Sequence, residues 1–254
     1  MIASSTVPAN FQPAPGVLSG KTILVTGAGD GIGRAAAQAY AAHGATVILV
    51  GRTVAKLEAV YDAIEAAGHP QPAIFPLDLS GTDENAYREL ALAVAEHFDH
   101  LDGLLHNASV LGERRPLESA TWQAWQNVMQ VNVNATFLLT RHLLPLLQQA
   151  PSASVVFTSS GVGRRGKAYW GAYAVSKFAT EGMMQVLAAE LENTSQVRVN
   201  SLNPGATNTG MRRAAYPAEA PTTNPDPADI MPAYLYLMSD HSAAVHGQAF
   251  DAQH

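Results

Sequence analysis

Short runs of aliphatic and β-branched residues recur along this chain, each separated from the next by a helix-length stretch, and that alternation leaves few folds open. The runs are residues 21–26 (KTILVT), 46–50, 73–77, 101–106, 154–158 and 197–202, with a last one near 248–250. Unbroken apolar runs of this length read as strands buried on both faces. Between them lie segments of helical character at 34–43, 54–67, 83–98, from Trp122 onward, 173–192 and 230–239. Strands alternating with helices call for a parallel sheet covered on both sides. The pattern therefore predicts a three-layer α/β fold with a doubly wound, mostly parallel sheet of about seven strands. Residues 1–20, rich in Pro, Ser and Ala, read as an extended leader, and 21–254 as a single domain. Within that domain, 206–229 carries several Pro, Asp and Thr and reads as a mobile loop or lid. Pro145 is expected to disturb the end of the long helix after Trp122.

A chain of 254 residues suits one large domain with a substantial core. Its formal net charge of -6 argues against a nucleic-acid partner, which calls for a basic surplus. There is no cysteine, so disulfides, thiolate catalysis and cysteine-held zinc or iron–sulfur clusters are excluded. No metal site is expected. The N-terminus lacks a basic start followed by an apolar core, so no secretory signal is read there. The most apolar helical stretch, Phe137 to Leu147, is broken by Arg141, His142 and Pro145 and is too short to span a bilayer. The expectation is a soluble cytoplasmic protein without a membrane partner.

Glycines follow the first of these strands as Gly27, Gly31 and Gly33, spaced G-x-x-x-G-x-G. Bare backbone at Gly31 lets the chain approach a pyrophosphate, and the helix that follows presents free N–H groups to it. A glycine turn that only packs helix against strand is the alternative; the strand before it and the strand–helix after it favour a nucleotide site in a Rossmann-type fold. At the end of the second strand, NAD wants a carboxylate for the ribose 2′-OH, whereas NADP wants a cation. The chain has Gly51-Arg52 there, giving room and a planar donor fork, so NADP(H) is favoured over NAD(H). Asp30 cuts against this, because a carboxylate inside the glycine turn repels a nearby 2′-phosphate. Asp78, after the third strand, either holds an adenine amino group or caps the next helix.

The segment from Ser160 to Lys177 carries the reacting chemistry. Tyr173 precedes Lys177 by four residues, and residues so spaced share a helix face. Free tyrosine has a pKa of about 10, and an adjacent ammonium and an oxidised nicotinamide push it down. Ser160 then holds a substrate oxygen and Tyr173 protonates it as hydride reaches carbon. Ser159 competes with Ser160 for that role. Asn132 and Asn134, in Val131-Asn132-Val133-Asn134, are amides of which at least one orders backbone or water.

Taken together, these motifs resemble the classical short-chain dehydrogenase/reductase family over residues 18–252. Thr26-Gly27-x-x-x-Gly31-x-Gly33 is similar to its cofactor motif, and His106-Asn107-Ala108-Ser109 stands where the family has Asn-Asn-Ala-Gly. The resemblance implies a catalytic tetrad of Asn132, Ser160, Tyr173 and Lys177, with Asn132 helping to hold a water that connects to Lys177. It implies cofactor contacts from Gly27, Asp30, Gly31, Ile32, Gly33, Arg52, Asp78 and Leu79 at one end. At the other end it implies Asn107, Ala108, Tyr173, Lys177, Pro204, Gly205, Thr207 and Thr209. Stretches 131–137, 177–187 and 229–238, with the Phe250-Asp251-Ala252-Gln253 ending, are similar to a YciK-like group of bacterial oxidoreductases. Homodimers or homotetramers built on two long helices are implied as well.

Seven of the 15 Lys and Arg residues fall in three loops after strands: Arg114 and Arg115; Arg164, Arg165 and Lys167; Arg212 and Arg213. Either they are ordinary solvated loop charge, or they form a positive rim that attracts an anionic substrate. Leu111, Val162, Tyr169, Trp170, Met211 and Tyr216 are candidate apolar walls of the substrate pocket, Trp170 being also suited to an interface. The leading reading is an NADPH-dependent reductase of ketones or aldehydes. An epimerase or dehydratase that uses bound nucleotide transiently, and a non-catalytic nucleotide-binding regulator, are the alternatives.

Overall fold

The computed structural model describes residues 4–8 and 10–253. The strands are β1 (Ser4–Thr6), β2 (Thr22–Thr26), β3 (Thr46–Gly51), β4 (Ala73–Pro76), β5 (Gly103–His106), β6 (Ala153–Thr158), β7 (Val197–Asn203) and β8 (Ala249–Asp251). They form one sheet in the order β1-β8-β7-β6-β5-β2-β3-β4, every neighbouring pair parallel. The helices are α1 (Gly31–Ala42), α2 (Val54–Ala66), α3 (Glu84–His97), α4 (Trp122–Met129), α5 (Ala135–Gln149), α6 (Gly171–Leu191), α7 (Gly210–Ala215) and α8 (Met231–Met238).

Successive strand side chains alternate between faces, and this divides the core in two. Ile23, Val25, Val47 and Leu49 pack with α1, α2 and α8. Leu24, Ile48, Val50, Val155 and Phe157 pack with α3, α5 and α6 on the opposite face. The fold is the expected three-layer, doubly wound α/β arrangement. The chain winds outward from β2 to β4, then restarts at β5 and winds the other way, leaving a crevice beyond the C-terminal ends of β2 and β5.

The sheet has eight strands rather than about seven. Ser4–Thr6, read from composition as extended leader, pairs with β8, and Phe11 packs edge-on to Tyr236 at a ring distance of 5.1 Å. Met1–Ala3 and Ala9 of that leader lie outside the described residues. Pro145 sits inside α5 without ending it. It lacks the amide that would reach back four residues, but Leu143, Leu146 and Leu147 around it are buried in the core and hold the helix to Gln149. A wide π-turn at Gln130–Asn134 joins α4 to α5. The 206–229 segment is structured: it contains α7 and is pinned by Asn208 donating to Asp226 at 2.8 Å and by an Arg212–Glu219 ion pair at 2.6 Å. Among the described residues no helix is long and apolar enough to cross a membrane, and no three His, Asp or Glu side chains cluster as a metal site.

Candidate active site

The crevice is a cleft of about 780 Å³, lined from Asp30, Gly31 and Arg52 at one end to Ser160, Tyr173 and Lys177 at the other. At the first end, Asp30 caps α1 by accepting from the Gly31 N–H at 2.7 Å. Gly31 has φ 51, a left-handed value that disfavours side chains. Backbone at the helix N-terminus therefore faces the cleft bare. Gly33 has a different job from the one expected of it. It does not line the cleft, and a Cβ there would lie 2.1 Å from the Gly27 carbonyl oxygen, so its smallness lets α1 dock against the glycine turn.

The objection raised by Asp30 falls away. Its carboxylate is ion-paired with Lys56, whose hydrogen bond holds the carboxyl below its usual range. Arg52 lines the cleft beside Gly51 and makes no ion pair among the described residues. Asp78 lines the cleft too, but it caps no helix. Its Oδ1 accepts from the Ser80 N–H at 3.0 Å and hydroxyl at 2.8 Å, while Asp83 caps α3. Bare helix N-terminus, an unpaired guanidinium and no carboxylate at the end of β3 together fit a dinucleotide bearing an extra phosphate.

In the middle, Thr26 ties the strands together. Its Oγ1 accepts from the Asn107 N–H at 2.9 Å and the Ala108 N–H at 3.1 Å. His106, at the departure from the family pattern, is buried against Phe157 and Thr140, and burial pushes its pKa down to about 3. It is a neutral packing residue. Ser109 lines the cleft.

At the reacting end, α6 presents Tyr173, Lys177 and Glu181 at successive four-residue steps. Lys177 Nζ donates to the Thr158 carbonyl at 2.8 Å and lies 5.6 Å from the Tyr173 ring centre. Burial pushes the Tyr173 phenol up to about 12, against a hydrogen bond with Ser160 that pulls it down. The lysine thus does not bring the phenol toward neutrality here, because the desolvation of Tyr173 outweighs the Ser160 hydrogen bond. Burial also lowers Lys177, to about 8, with the Glu181 carboxylate pulling it back up.

Geometry separates the paired candidates. Both serines border the cleft, but Ser159 is buried and donates to Glu181 at 2.6 Å, whereas Ser160 is hydrogen-bonded to Tyr173. Asn132, only 3% exposed in the π-turn, accepts from the Val110 N–H at 2.8 Å and donates to the Val110 carbonyl and to Ser176, each at 3.0 Å. Asn134 is exposed and, among the described residues, bonds through its side chain only to Gln130, at 3.1 Å. Asn132 stands behind the wall and buttresses α6 through Ser176 rather than facing the cleft.

Around this end, Pro204, Gly205, Thr207 and Thr209 form one wall, with Leu111, Val162, Trp170, Met211 and Tyr216 beyond. Tyr169 does not join them. Its side chain is 57% exposed and borders a separate surface groove with Leu117, Val175 and Phe178. Part of the expected positive rim is taken up inside the protein. Arg164 is mostly buried, bonded to Glu181 at 3.0 Å, Asp251 at 2.9 Å and the Phe250 carbonyl at 2.8 Å, so it is a structural residue. Arg212 is paired with Glu219 and Arg115 with Glu113. Arg213 donates to the Asn208 side chain.

Several working residues carry no sequence signal of their own. Glu181 is 1% exposed and accepts from Ser159, Ser201 and Arg164. Gly163 lies so close to α6 that a Cβ would fall 2.7 Å from Lys177 backbone. Gln253 holds the Pro204 carbonyl at 2.7 Å and the Ala206 carbonyl at 2.9 Å. Only the four-residue spacing of Lys177 and Glu181 hints at any of this.

Comparison with known proteins agrees with the geometry. The family profile described as short chain dehydrogenase matches residues 21–220. The oxidoreductase YciK of Escherichia coli (strain K12) is 54% identical over 245 residues, 96% of each chain. A short chain dehydrogenase structure from Escherichia coli CFT073, complexed with NADPH, superposes with a TM-score of 0.93 at 53% identity, covering 95% of this chain and all of that one. One from Shigella flexneri 2a, complexed with NADP, does so with a TM-score of 0.93 at 52% identity over the same shares.

Proposed function

The chain belongs to the short-chain dehydrogenase family, an NAD(P)-dependent oxidoreductase family acting on CH–OH and C=O groups, and on that premise we propose that it interconverts a carbonyl compound and its alcohol with NADP(H), using Tyr173 as general acid and base. The observation that carries this reading is the meeting of Ser160, Tyr173 and Lys177 at the inner end of a cleft whose outer end offers Arg52 and a bare helix N-terminus. The NADP and NADPH bound in the two similar structures support the choice of cofactor.

Arg52 would hold the 2′-phosphate and the Gly27–Ile32 turn the pyrophosphate, with Asn107, Pro204, Thr207 and Thr209 available to the nicotinamide. When bound there, NADPH supplies the hydride. Ser160 orients the substrate oxygen, and Tyr173 gives that oxygen its proton. A phenol pushed up to about 12 is fully protonated at neutral pH, so it stands ready as an acid for reduction. For oxidation the same phenol must first lose its proton, which positive charge at Lys177 assists. Asn132 keeps the π-turn against Ser176 and so sets the position of α6 beneath both residues. The 206–229 segment acts as the lid over the substrate.

The cytoplasmic setting expected from composition and the homo-oligomer expected from the family likeness go with this reading. Phe137 on α5 and Val175, Phe178 and Val186 on α6 are exposed apolar side chains that suit such a contact. The test is calorimetric titration of nucleotide-free protein with NADPH and NADH in parallel, followed by NADPH consumption with a panel of aldehydes and ketones. Tighter NADPH binding and consumption with at least one carbonyl compound are expected. Equal binding of the two nucleotides overturns the role of Arg52, and absence of consumption overturns the reductase.

A further inference from the structure

Three cations gather around one aromatic side chain, Tyr216, at the substrate end of the cleft; Lys167 and Arg212 line the cleft, and Arg114 is exposed beside the ring. The Arg114 guanidinium carbon lies 4.6 Å from the Trp170 ring centre and 4.8 Å from that of Tyr216. Lys167 donates to the Tyr216 hydroxyl at 3.0 Å, and the Arg212 guanidinium carbon stands 4.0 Å over the same ring. The hydrogen bond from Lys167, helped by the charges of Lys167, Arg212 and Arg114, holds the Tyr216 phenol below its usual pKa.

Only one of these cations is neutralised. Glu219 takes Arg212 through two hydrogen bonds, at 2.7 and 2.6 Å. The other nearby carboxylate, Glu113, is held by Arg115 and by the Thr121 N–H. Neither Arg114 nor Lys167 has an ion-pair partner among the described residues. Arg114 gives one N–H to the Ala215 carbonyl and Lys167 one to Tyr216, so both keep donors to spare. Two unpaired like charges facing one ring repel each other, an arrangement that an anion between them relieves.

The distance to the chemistry is short. Trp170 lies between the two groups, its ring centre 5.7 Å from that of Tyr173 and 6.0 Å from that of Tyr216. Resting on the reductase reading above, we infer that Lys167, which lines the cleft, forms with Arg114 beside the same rings a carboxylate subsite, and that the substrate is an oxo or hydroxy acid. The guanidinium fork suits a carboxylate.

The test uses 4-formylbenzoate and its uncharged methyl ester as matched probes, titrated into protein saturated with NADP⁺. The acid should bind about tenfold or more tighter than the ester, as hydrogen bonds to a charged group predict. Raising ionic strength should narrow the gap. In the Arg114→Gln, Lys167→Gln double variant the gap should close, with affinity for NADPH and for the ester retained and the melting temperature as a check on folding. Equal binding of acid and ester, no binding of the acid, or a preference that survives the double variant overturns the subsite. Consumption of NADPH is scored separately with each probe. A carboxylate preference without any consumption removes the reductase and leaves the subsite standing; consumption with equal KM for acid and ester does the reverse.

Discussion

The two ends of the cleft are built from different materials. The nucleotide end is backbone and exposed charge: a glycine turn, the start of α1, Arg52, and an Asp30–Lys56 pair whose side chains are each more than half exposed. The reacting end is a set of buried side chains in mutual contact, with Lys177 and Glu181 one turn apart on α6 and Arg164 joining Glu181 to Asp251 at the sheet edge. In the first, solvent screens every charge, and each group grades affinity separately. In the second, each polar group is another's partner, and removing one leaves a buried charge behind.

That contrast is broken most severely by Tyr173→Phe. The variant should keep NADPH affinity and lose about 10²–10⁴-fold in turnover of whichever carbonyl compound the wild type reduces. Near-full turnover would mean that another group supplies the proton.

Glu181→Ala comes next. It touches no ligand, yet it strips the partner from a mostly buried Arg164 and from two serines, and should cost about 3–5 kcal/mol of stability, read as a lowered urea midpoint. The milder Glu181→Gln sharpens the comparison through pH. Lys177 has its pKa lowered to about 8 by burial, and Glu181 pulls it up. The amine is therefore charged below about pH 8 and neutral above it, and charging it costs folding stability that is present at high pH and lost as pH falls through that value. Without the carboxylate the transition should move to lower pH, visible as an acidward shift of the alkaline limb in NADPH affinity. An unmoved limb would detach Glu181 from Lys177.

At the nucleotide end the expected effects are smaller and separable. Arg52→Ala should weaken NADPH about 10- to 100-fold while leaving NADH unchanged; parallel losses would put Arg52 elsewhere than on the 2′-phosphate. Lys56→Ala should change stability by no more than about 1 kcal/mol, the worth of an exposed pair, as measured by the same urea titration.

The same contrast governs what could be read from the chain alone. Strands β2 to β7 and their helices were legible because each buries an unbroken apolar run or an apolar stripe. The Tyr173–Lys177 spacing and the glycine turn were legible because their chemistry is local. Glu181, Arg164 and Gln253 were not, since each acts through partners distant in sequence, and Arg164 looked like loop charge only because its burial is a tertiary fact. Tyr169 next to Trp170 shows the limit from the other side: adjacent aromatics of equal promise, one facing the cleft and the other facing outward. Gly33 belongs to the right motif and acts from behind the wall.

The pairing of Ser4–Thr6 with Ala249–Asp251 sets an order of assembly. These segments lie far apart along the chain, so β1 cannot find its place until residues 249–251 have been made. Among the described residues it closes the longest loop between paired strands, a contact that forms late because its entropy must be lost before anything is gained. Until it forms, β8 is an open edge able to pair with another chain, and Asp251, which anchors Arg164 and through it Glu181, waits for its contact with Ser4. A protein tag fused ahead of Ser4 would load the slowest step of folding, and its cost would appear in the yield of native protein rather than in the affinity of the cleft.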